Sequence, residues 1–95
     1  MLSSQGHFET PNGSKYLQQL CRHFGHKVAV EFDDTSGHAD LPPGRATLVA
    51  DDHGLKIVIT AEDEKGLGVA RFIVEDHLRR FAFREEFSDL EWIEA

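Results

Sequence analysis

The stretch of the sequence richest in reactive side chains is CRHFGHK, residues 21–27, which places one thiol, two imidazoles and two cations within seven positions. Thiolate and imidazole are the ligands that Zn²⁺ prefers, and in enzymes the same groups serve as nucleophile and base. Imidazoles beside two cations can instead bind an anion. The chemistry that this stretch can perform depends on which of its side chains lie on the same side of the surrounding structure.

The segment TPNGSKYLQQLCRHFG predicts an amphipathic helix that carries most of this stretch. Thr10 is placed to cap the helix, Pro11 suits its first turn, and Gly25 predicts a left-handed cap at its end. At about 100° per residue, Cys21 falls on the apolar side while His23 and Gln19 fall on the opposite side, so the thiol and this imidazole cannot bind one metal from within the helix. The apolar side spans an arc of roughly 140°; it consists of Tyr16, Leu17, Leu20, Cys21 and Phe24.

The end of this helix is the candidate anion site. His26 and Lys27 follow Gly25, at the end of a helix where the dipole favours cations. The first thirty residues hold three cations and one acid (net +2), whereas residues 31–95 hold seven cations and sixteen acids (net −9). An anionic ligand should therefore approach this end of the chain, with His26 and Lys27 as its contacts. The simpler interpretation is that both residues lie at the helix end and bind no ligand.

Six histidines raise the question of a metal site, but no two share a helix face at metal-ligand spacing, and we predict no metal and no cofactor. His77 is the candidate for a perturbed imidazole because it borders the apolar stripe of a second helix; a half-buried ring hydrogen-bonded to a neighbour is the simpler interpretation. The serines and Cys21 lack a nucleophile motif, and no glycine-rich phosphate loop is present, so no catalytic residue is predicted. The histidines are His7, His23, His26, His38, His53 and His77.

Length and charge narrow the class of protein. A chain of 95 residues supports a single domain over residues 1–95. The net charge of −7 argues against nucleic acid as a partner, since phosphate contacts need a basic face. No apolar run approaches the ~20 residues of a membrane span, and no targeting segment is evident, so we predict a cytoplasmic protein that does not contact the membrane.

The remaining segments predict the elements that must position these side chains. VAVEFDD alternates as a half-buried strand does, and RATLVAD and LKIVIT predict a hairpin whose Gly54 needs a positive φ. SQGHFET, HADL and DLEWIEA are shorter strand candidates. A second helix begins at Thr60 or Asp63 and runs to about Phe81 or Phe83. The prediction is an α+β domain, an antiparallel sheet of four to five strands with two helices on one face.

One aromatic residue is predicted to lie outside the core. Helical steps from Leu67 place Phe72 on the far side of the second helix, with Val69 close by. An exposed Phe72 with charged neighbours would suit a homodimer or another partner protein. The alternative is that the tail, with Phe87, Leu90 and Trp92, folds back over Phe72.

Three stretches, ETPNGSKYLQQLCRHFGHKVAVEF, GRATLVADDHGLKIVIT and VEDHLRRFAFREE, resemble a bacterial domain of unknown function, family 2218. The resemblance implies a small α+β domain similar to the C-terminal domain of phosphohexomutases and to TATA-binding-protein-like folds. It implies no assigned activity and no binding residues. Some members of this family look fused to flavin-containing siderophore-interacting reductases, so the resemblance implies an iron-related context by association.

Three hypotheses for the function follow. The first is a non-catalytic module that binds a small anionic ligand or a protein and can form a homodimer. The second is a metal- or iron-related accessory protein. The third is a small enzyme with a histidine–carboxylate pair, which the absence of a catalytic motif makes the weaker choice; it would require His77 or His26 in an apolar pocket with a carboxylate in reach.

Overall fold

The alternating segments of the sequence form one antiparallel sheet, with both helices on the same face. The structure, a computed structural model, describes residues 1–85 and 90–94. Its order is β1 (Leu2–Glu9), α1 (Gly13–Phe24), β2 (Val30–Phe32), β3 (Ser36–Leu41), β4 (Gly44–Ala50), β5 (Gly54–Ala61), α2 (Glu64–Phe81), a short 3₁₀ helix (Phe83–Glu85) and β6 (Glu91–Glu94). The α+β class and the two helices predicted from the sequence are confirmed.

The sheet has six strands in the order β2-β3-β4-β5-β1-β6, so the predicted count of four to five is too low. The short segments at both ends of the chain and the HADL segment all become strands, because each finds an antiparallel neighbour. β1 pairs with β5 on one side and with β6 on the other, joining the two ends of the chain. β2 is only three residues long and lies at the opposite edge, against β3.

The core lies between the inner face of the sheet and the two helices. The apolar stripe of α1 is buried as the sequence predicted: Leu17, Leu20 and Cys21 have no exposed surface. α2 buries Leu67, Ala70, Val74 and Leu78. These side chains meet the alternate residues of the central strands, which are Ala46, Leu48 and Ala50 of β4 and Leu55, Ile57 and Ile59 of β5.

The predicted caps of α1 are wrong at both ends. Asn12 occupies the N-cap position, while the Thr10 hydroxyl accepts from the Asn12 backbone N–H at 3.0 Å and shapes the turn that precedes the helix. Gly25 at the C-terminal end is right-handed, with φ −61°, because the chain continues in helical turns as far as Val28. A Cβ at Gly25 would lie 3.1 Å from a Val30 methyl group, so this glycine admits close packing and not a left-handed turn.

The β4–β5 turn contains a further correction. The Asp51 carboxylate accepts from the backbone N–H groups of His53 and Gly54, at 2.8 and 2.9 Å, as turn aspartates do. Gly54 does not have the predicted positive φ. A Cβ there would lie 2.5 Å from the Phe8 carbonyl oxygen, so glycine is needed because β1 passes directly beside it.

The start of α2 agrees with the sequence. Asp63 is its N-cap, and its carboxylate accepts from the Gly66 N–H at 2.7 Å. Over the part of the chain that the structure describes, no helix is long and apolar enough to cross a membrane.

The end of the chain belongs to the sheet edge. The Trp92 ring lies on Gly6 of β1, where an added Cβ would come within 3.1 Å of two ring carbons. Leu90 is buried, and its backbone N–H donates to the Glu75 carboxylate at 3.0 Å. Leu90 and Trp92 are thus committed to the core and to β6, whereas Phe87 lies outside the described residues.

Candidate functional site

An apolar pocket of about 250 Å³ lies where the end of α1, the middle of α2 and the β3–β4 turn meet. The volume is somewhat below the ~300–1,000 Å³ of typical drug-sized sites, so it suits a small metabolite. Gly25 lets the chain pack closely after α1, and Pro42 brings the β3–β4 turn into the lining. The apolar lining consists of Phe24, Val28, Leu41, Pro42 and Ile73.

Three basic side chains, His23, Lys27 and His77, complete the lining. His23 and Lys27 are four positions apart at the end of α1, which places them on one side of the chain. His77 comes from α2, and its ring centroid lies 4.4 Å from that of His23. The His77 ring also contacts Phe24 edge-on, at 5.2 Å between centroids. Two imidazole rings in contact and an exposed lysine side chain therefore line an apolar pocket.

His77 is oriented by its own helix. Its Nδ1 lies 2.7 Å from the Ile73 carbonyl oxygen one turn earlier, so Nδ1 donates the hydrogen bond. In the neutral ring, Nε2 then carries the lone pair; in the protonated ring it becomes a second donor. The simpler interpretation of His77, a half-buried ring bonded to a neighbour, is what the structure shows, and that bond leaves Nε2 as the ring nitrogen without this backbone partner.

The electrostatics favour an anion at this place. Desolvation against α2, followed by the positive charges of His77, His26, Lys27 and Arg80, lowers the pKa of His23 below its ordinary value. Burial and the nearby basic groups thus both favour the neutral form of the His23 ring. An anion in the pocket would offset this repulsion and favour the protonated ring.

Some of the site residues predicted from the sequence line this pocket, and others do not. Lys27 and His77, proposed separately, come together in it. His26 is exposed and is not among the lining residues, although its charge reaches His23. Cys21 is fully buried, and burial raises the pKa of its thiol to about 11, which leaves it unreactive.

His23 is the site residue that sequence reasoning missed. Its prediction as an exposed side chain opposite the core is confirmed. What the helical phase could not show is that α2 approaches this side, so that His23 meets a ring 54 positions away in the sequence. No local signal marks such a pair.

The described lining residues include no carboxylate, so the structure gives no support there to a histidine–carboxylate acid–base pair. Within residues 1–85 and 90–94, no group of three or more histidine, cysteine, aspartate or glutamate side chains is arranged to hold a metal ion.

A larger groove, of about 780 Å³, runs between the β3–β4 turn and the start of α2, but it is wide and open. Three of its charged side chains have roles within the chain, since Asp40 pairs with Arg45 at 3.2 Å and Asp63 caps α2. Glu62 and Lys65 are exposed. It is less enclosed than the smaller pocket. We therefore take the smaller pocket as the candidate site.

A polar cluster away from the pocket was also missed from the sequence. The Glu85 carboxylate accepts from the Thr10 hydroxyl at 2.6 Å, from the Asn12 amide at 3.0 Å and from the Tyr16 hydroxyl. Burial, then the hydrogen bond and charge of Glu85, raise the pKa of Tyr16 to about 12. The cluster ties the 3₁₀ helix after α2 to the turn before α1, which is a structural role.

The candidate interface residues are where the sequence placed them. Phe72 is 62% exposed and Val69 is 43% exposed, both on the outer side of α2. Of the described tail residues, Leu90 and Trp92 pack elsewhere and do not cover Phe72.

Comparison with known proteins places this chain in a wider group. A sequence profile described as "Uncharacterized protein conserved in bacteria (DUF2218)" matches residues 5–93. The NMR structure of PA4090 from Pseudomonas aeruginosa is similar to this chain, with a TM-score of 0.79 and 29% sequence identity over 100% of this chain and 96% of that one. None of the curated proteins compared with the chain matches it.

Proposed function

The chain belongs to the DUF2218 family of uncharacterized proteins conserved in bacteria, and we propose that it is a binding module for a small anionic ligand with an apolar body. The ligand would be a carboxylate on an aromatic or branched aliphatic group, held in the pocket of His23, Lys27 and His77. The observation that carries this proposal is an apolar pocket lined by two imidazole rings, whose centroids lie 4.4 Å apart, and by Lys27.

Each part of the pocket has a separate task in this proposal. The apolar lining desolvates the body of the ligand, which contributes about 25 cal/mol per Å² of apolar area removed from water. Lys27 supplies a permanent positive charge, and the imidazoles supply donors whose charge depends on pH. A purely inorganic anion would leave the apolar lining in contact with water. Phosphate should therefore bind more weakly than a carboxylate whose apolar group fits the pocket.

Proton linkage gives the proposal a direction in pH. The pKa of free His23 lies below its ordinary value, so its ring is mostly neutral near pH 7. A bound anion favours the protonated ring, so binding takes up a proton and the affinity should rise as the pH falls through the range near and below 6.5. A neutral ligand of the same shape should show no such dependence.

An NMR titration tests the proposal, with benzoate and isovalerate as probes and benzamide as the uncharged control. We expect the carboxylates to shift the His23 and His77 ring signals and the Lys27 amide signal first. Their affinity should be higher at about pH 5.5 than at about pH 7.5. Lys27→Gln should weaken benzoate binding several-fold. His26→Gln is the matched control, since His26 is exposed and outside the lining, and should change it little.

The rival hypotheses are outcomes of the same experiment. Equal binding of benzamide and benzoate, or no shift at millimolar probe, would refute the anion site. Saturation of the His23 and His77 signals by one equivalent of Zn²⁺ or Fe²⁺ would favour the metal- or iron-related accessory protein.

A cytoplasmic location is part of the proposal because a single cysteine suits a reducing compartment. The likeness to the phosphohexomutase C-terminal and TATA-binding-protein-like folds stays a prediction.

A further inference from the structure

The outer side of α2 carries an apolar strip with a charge at each end. Helical steps of about 100° place Lys65, Val69, Phe72 and Asp76 within an arc of roughly 60°, directly opposite the buried stripe. Val69 and Phe72 are 43% and 62% exposed, and Lys65 is exposed as well. The Asp76 side chain is 30% exposed and bonds to Arg80 at 3.0 Å. The strip is therefore accessible over about three helical turns.

A glycine beside this strip points to a close neighbour. Gly68 lies in the interior of α2, where glycine is destabilising relative to alanine. A Cβ built on Gly68 meets no atom within 4 Å, so contacts within the chain do not require glycine there. A glycine next to Val69 and one turn before Phe72 leaves the helix backbone open to the approach of another helix.

We propose that this strip packs against the same strip of a second copy of the chain, with the two α2 helices antiparallel about a two-fold axis. Val69 and Phe72 have the same midpoint in the sequence as Lys65 and Asp76. An axis beside that midpoint sets Val69 of one copy against Phe72 of the other, and Lys65 of one copy against Asp76 of the other. Both contacts then occur twice, as an isologous interface requires.

The charges decide between this arrangement and its alternatives. In a parallel pair the two Lys65 side chains would face each other, as would the two Asp76 side chains, and like charges would repel. In the antiparallel pair each Asp76 carboxylate lies between its own Arg80 and Lys65 of the other copy. The strip is thus complementary to itself, which identifies a second copy as its occupant.

The size of the strip sets the strength of the contact. Twelve residues of helix are about 18 Å long, and the face of a helix is about 10 Å wide. The area buried on both copies together is therefore on the order of several hundred Å², below the ~1,200 Å² at which stable interfaces begin. The dimer should be weak and should dissociate on dilution.

Sedimentation equilibrium between about 10 μM and 1 mM tests the proposal with the full chain, across the range expected of a weak contact. The wild-type mass should rise with concentration, and Phe72→Asp should weaken dimerisation at least about tenfold, as loss of a central aromatic contact does. Phe83→Asp is the matched control: Phe83 is 66% exposed but lies on the 3₁₀ helix, away from the strip, and its replacement should leave the mass curve unchanged.

A charge exchange tests the antiparallel register without altering the apolar contact. Lys65→Glu should weaken the dimer, and adding Asp76→Lys to it should restore most of the loss. A wild type that stays monomeric at 1 mM overturns the proposal. So do equal effects of the two phenylalanine substitutions, or a double charge variant no stronger than Lys65→Glu alone. If Phe72→Asp proves unfolded by circular dichroism, the charge exchange decides the matter by itself.

Discussion

Replacing Glu85 by glutamine should lower the pKa of Tyr16 and destabilise the protein, because one carboxylate holds three donors together. It accepts hydrogen bonds from Thr10, Asn12 and Tyr16. A bond to a charged acceptor contributes about 1.5–3 kcal/mol and one to a neutral acceptor about 0.5–1.5 kcal/mol. The cluster is partly solvated, so we expect Glu85→Gln to cost about 1–3 kcal/mol in total, and each kcal/mol lowers the Tm by roughly 4–8 °C in a domain of this size.

The pH dependence of this loss has a definite sign. Burial alone would raise the pKa of Glu85, but the hydrogen bonds from Thr10, Tyr16 and Asn12 outweigh it and lower the pKa below 4.5. A carboxyl whose folded pKa is lowered stabilises the protein above its unfolded pKa, and the contribution disappears as the pH falls through the folded value. The stability gap between wild type and Glu85→Gln should therefore be full at neutral pH and shrink below about pH 4.5.

The titration of Tyr16 tests the same cluster at high pH. Tyr16 is the single tyrosine of the chain, so its phenolate absorbance can be followed without interference from another tyrosine. The wild type should titrate at a pKa of about 12, and Glu85→Gln should bring the value closer to 10, with the effect of burial remaining. Because the folded pKa is raised, this group stabilises the protein fully below pH 10, and that stability is lost as the pH rises towards 12.

Urea unfolding across the pH range, together with the tyrosine titration, is the assay for both effects. Glu9→Gln is the control, since it makes the same chemical change on an exposed side chain of β1 outside the cluster. An unchanged Tyr16 titration in Glu85→Gln, or a stability gap that persists undiminished at pH 3, would show that the carboxylate does not organise these donors.

Three other predictions concern the two helices. Leu20→Ala should cost about 2–5 kcal/mol in chemical unfolding, because Leu20 has no exposed surface, whereas Arg22→Ala on the outside of α1 should stay within about 0.5 kcal/mol. Cys21 should react with a thiol reagent far more slowly in the folded protein than in the unfolded chain, since burial raises its pKa to about 11. His77→Gln should raise the pKa of His23 towards its ordinary value in an NMR titration, and an unchanged value would exclude the charge of His77 as a cause.

Helical phase was the part of the fold most accessible from the sequence. A period of 3.6 residues depends only on the helix itself, so Leu17, Leu20 and Cys21 could be placed in the core and Phe72 outside it without knowledge of any other element. Asp63, one of the two N-cap candidates named for α2, follows from equally local chemistry. Both predictions were confirmed because no contact between elements was needed to make them.

Apart from the caps of α1, the failures depend on contacts between distant segments. Gly54 is glycine because Phe8, 46 positions earlier in the chain, lies beside it in the sheet. Gln19 was predicted to face solvent, yet it is half-buried and its Oε1 is enclosed, since it lies between Tyr16 and His23 on the side of α1 that meets the C-terminal half of α2. The candidate site divides in the same way: Lys27 and His77 could be named singly, but their meeting with His23 depends on how the helices pack.

The pocket and the dimer strip share α2, and the geometry of that helix makes the two proposals separable. Phe72 and His77 are five residues apart, which places them about 140° from each other around the helix axis. One side chain therefore faces away from the domain while the other lines the pocket. Phe72→Asp should weaken dimerisation and leave the benzoate-induced shifts of His23 in place, whereas Lys27→Gln should weaken benzoate binding and leave the mass curve unchanged. A substitution that altered both measurements would mean that the second copy, and not the fold of one chain, shapes the pocket.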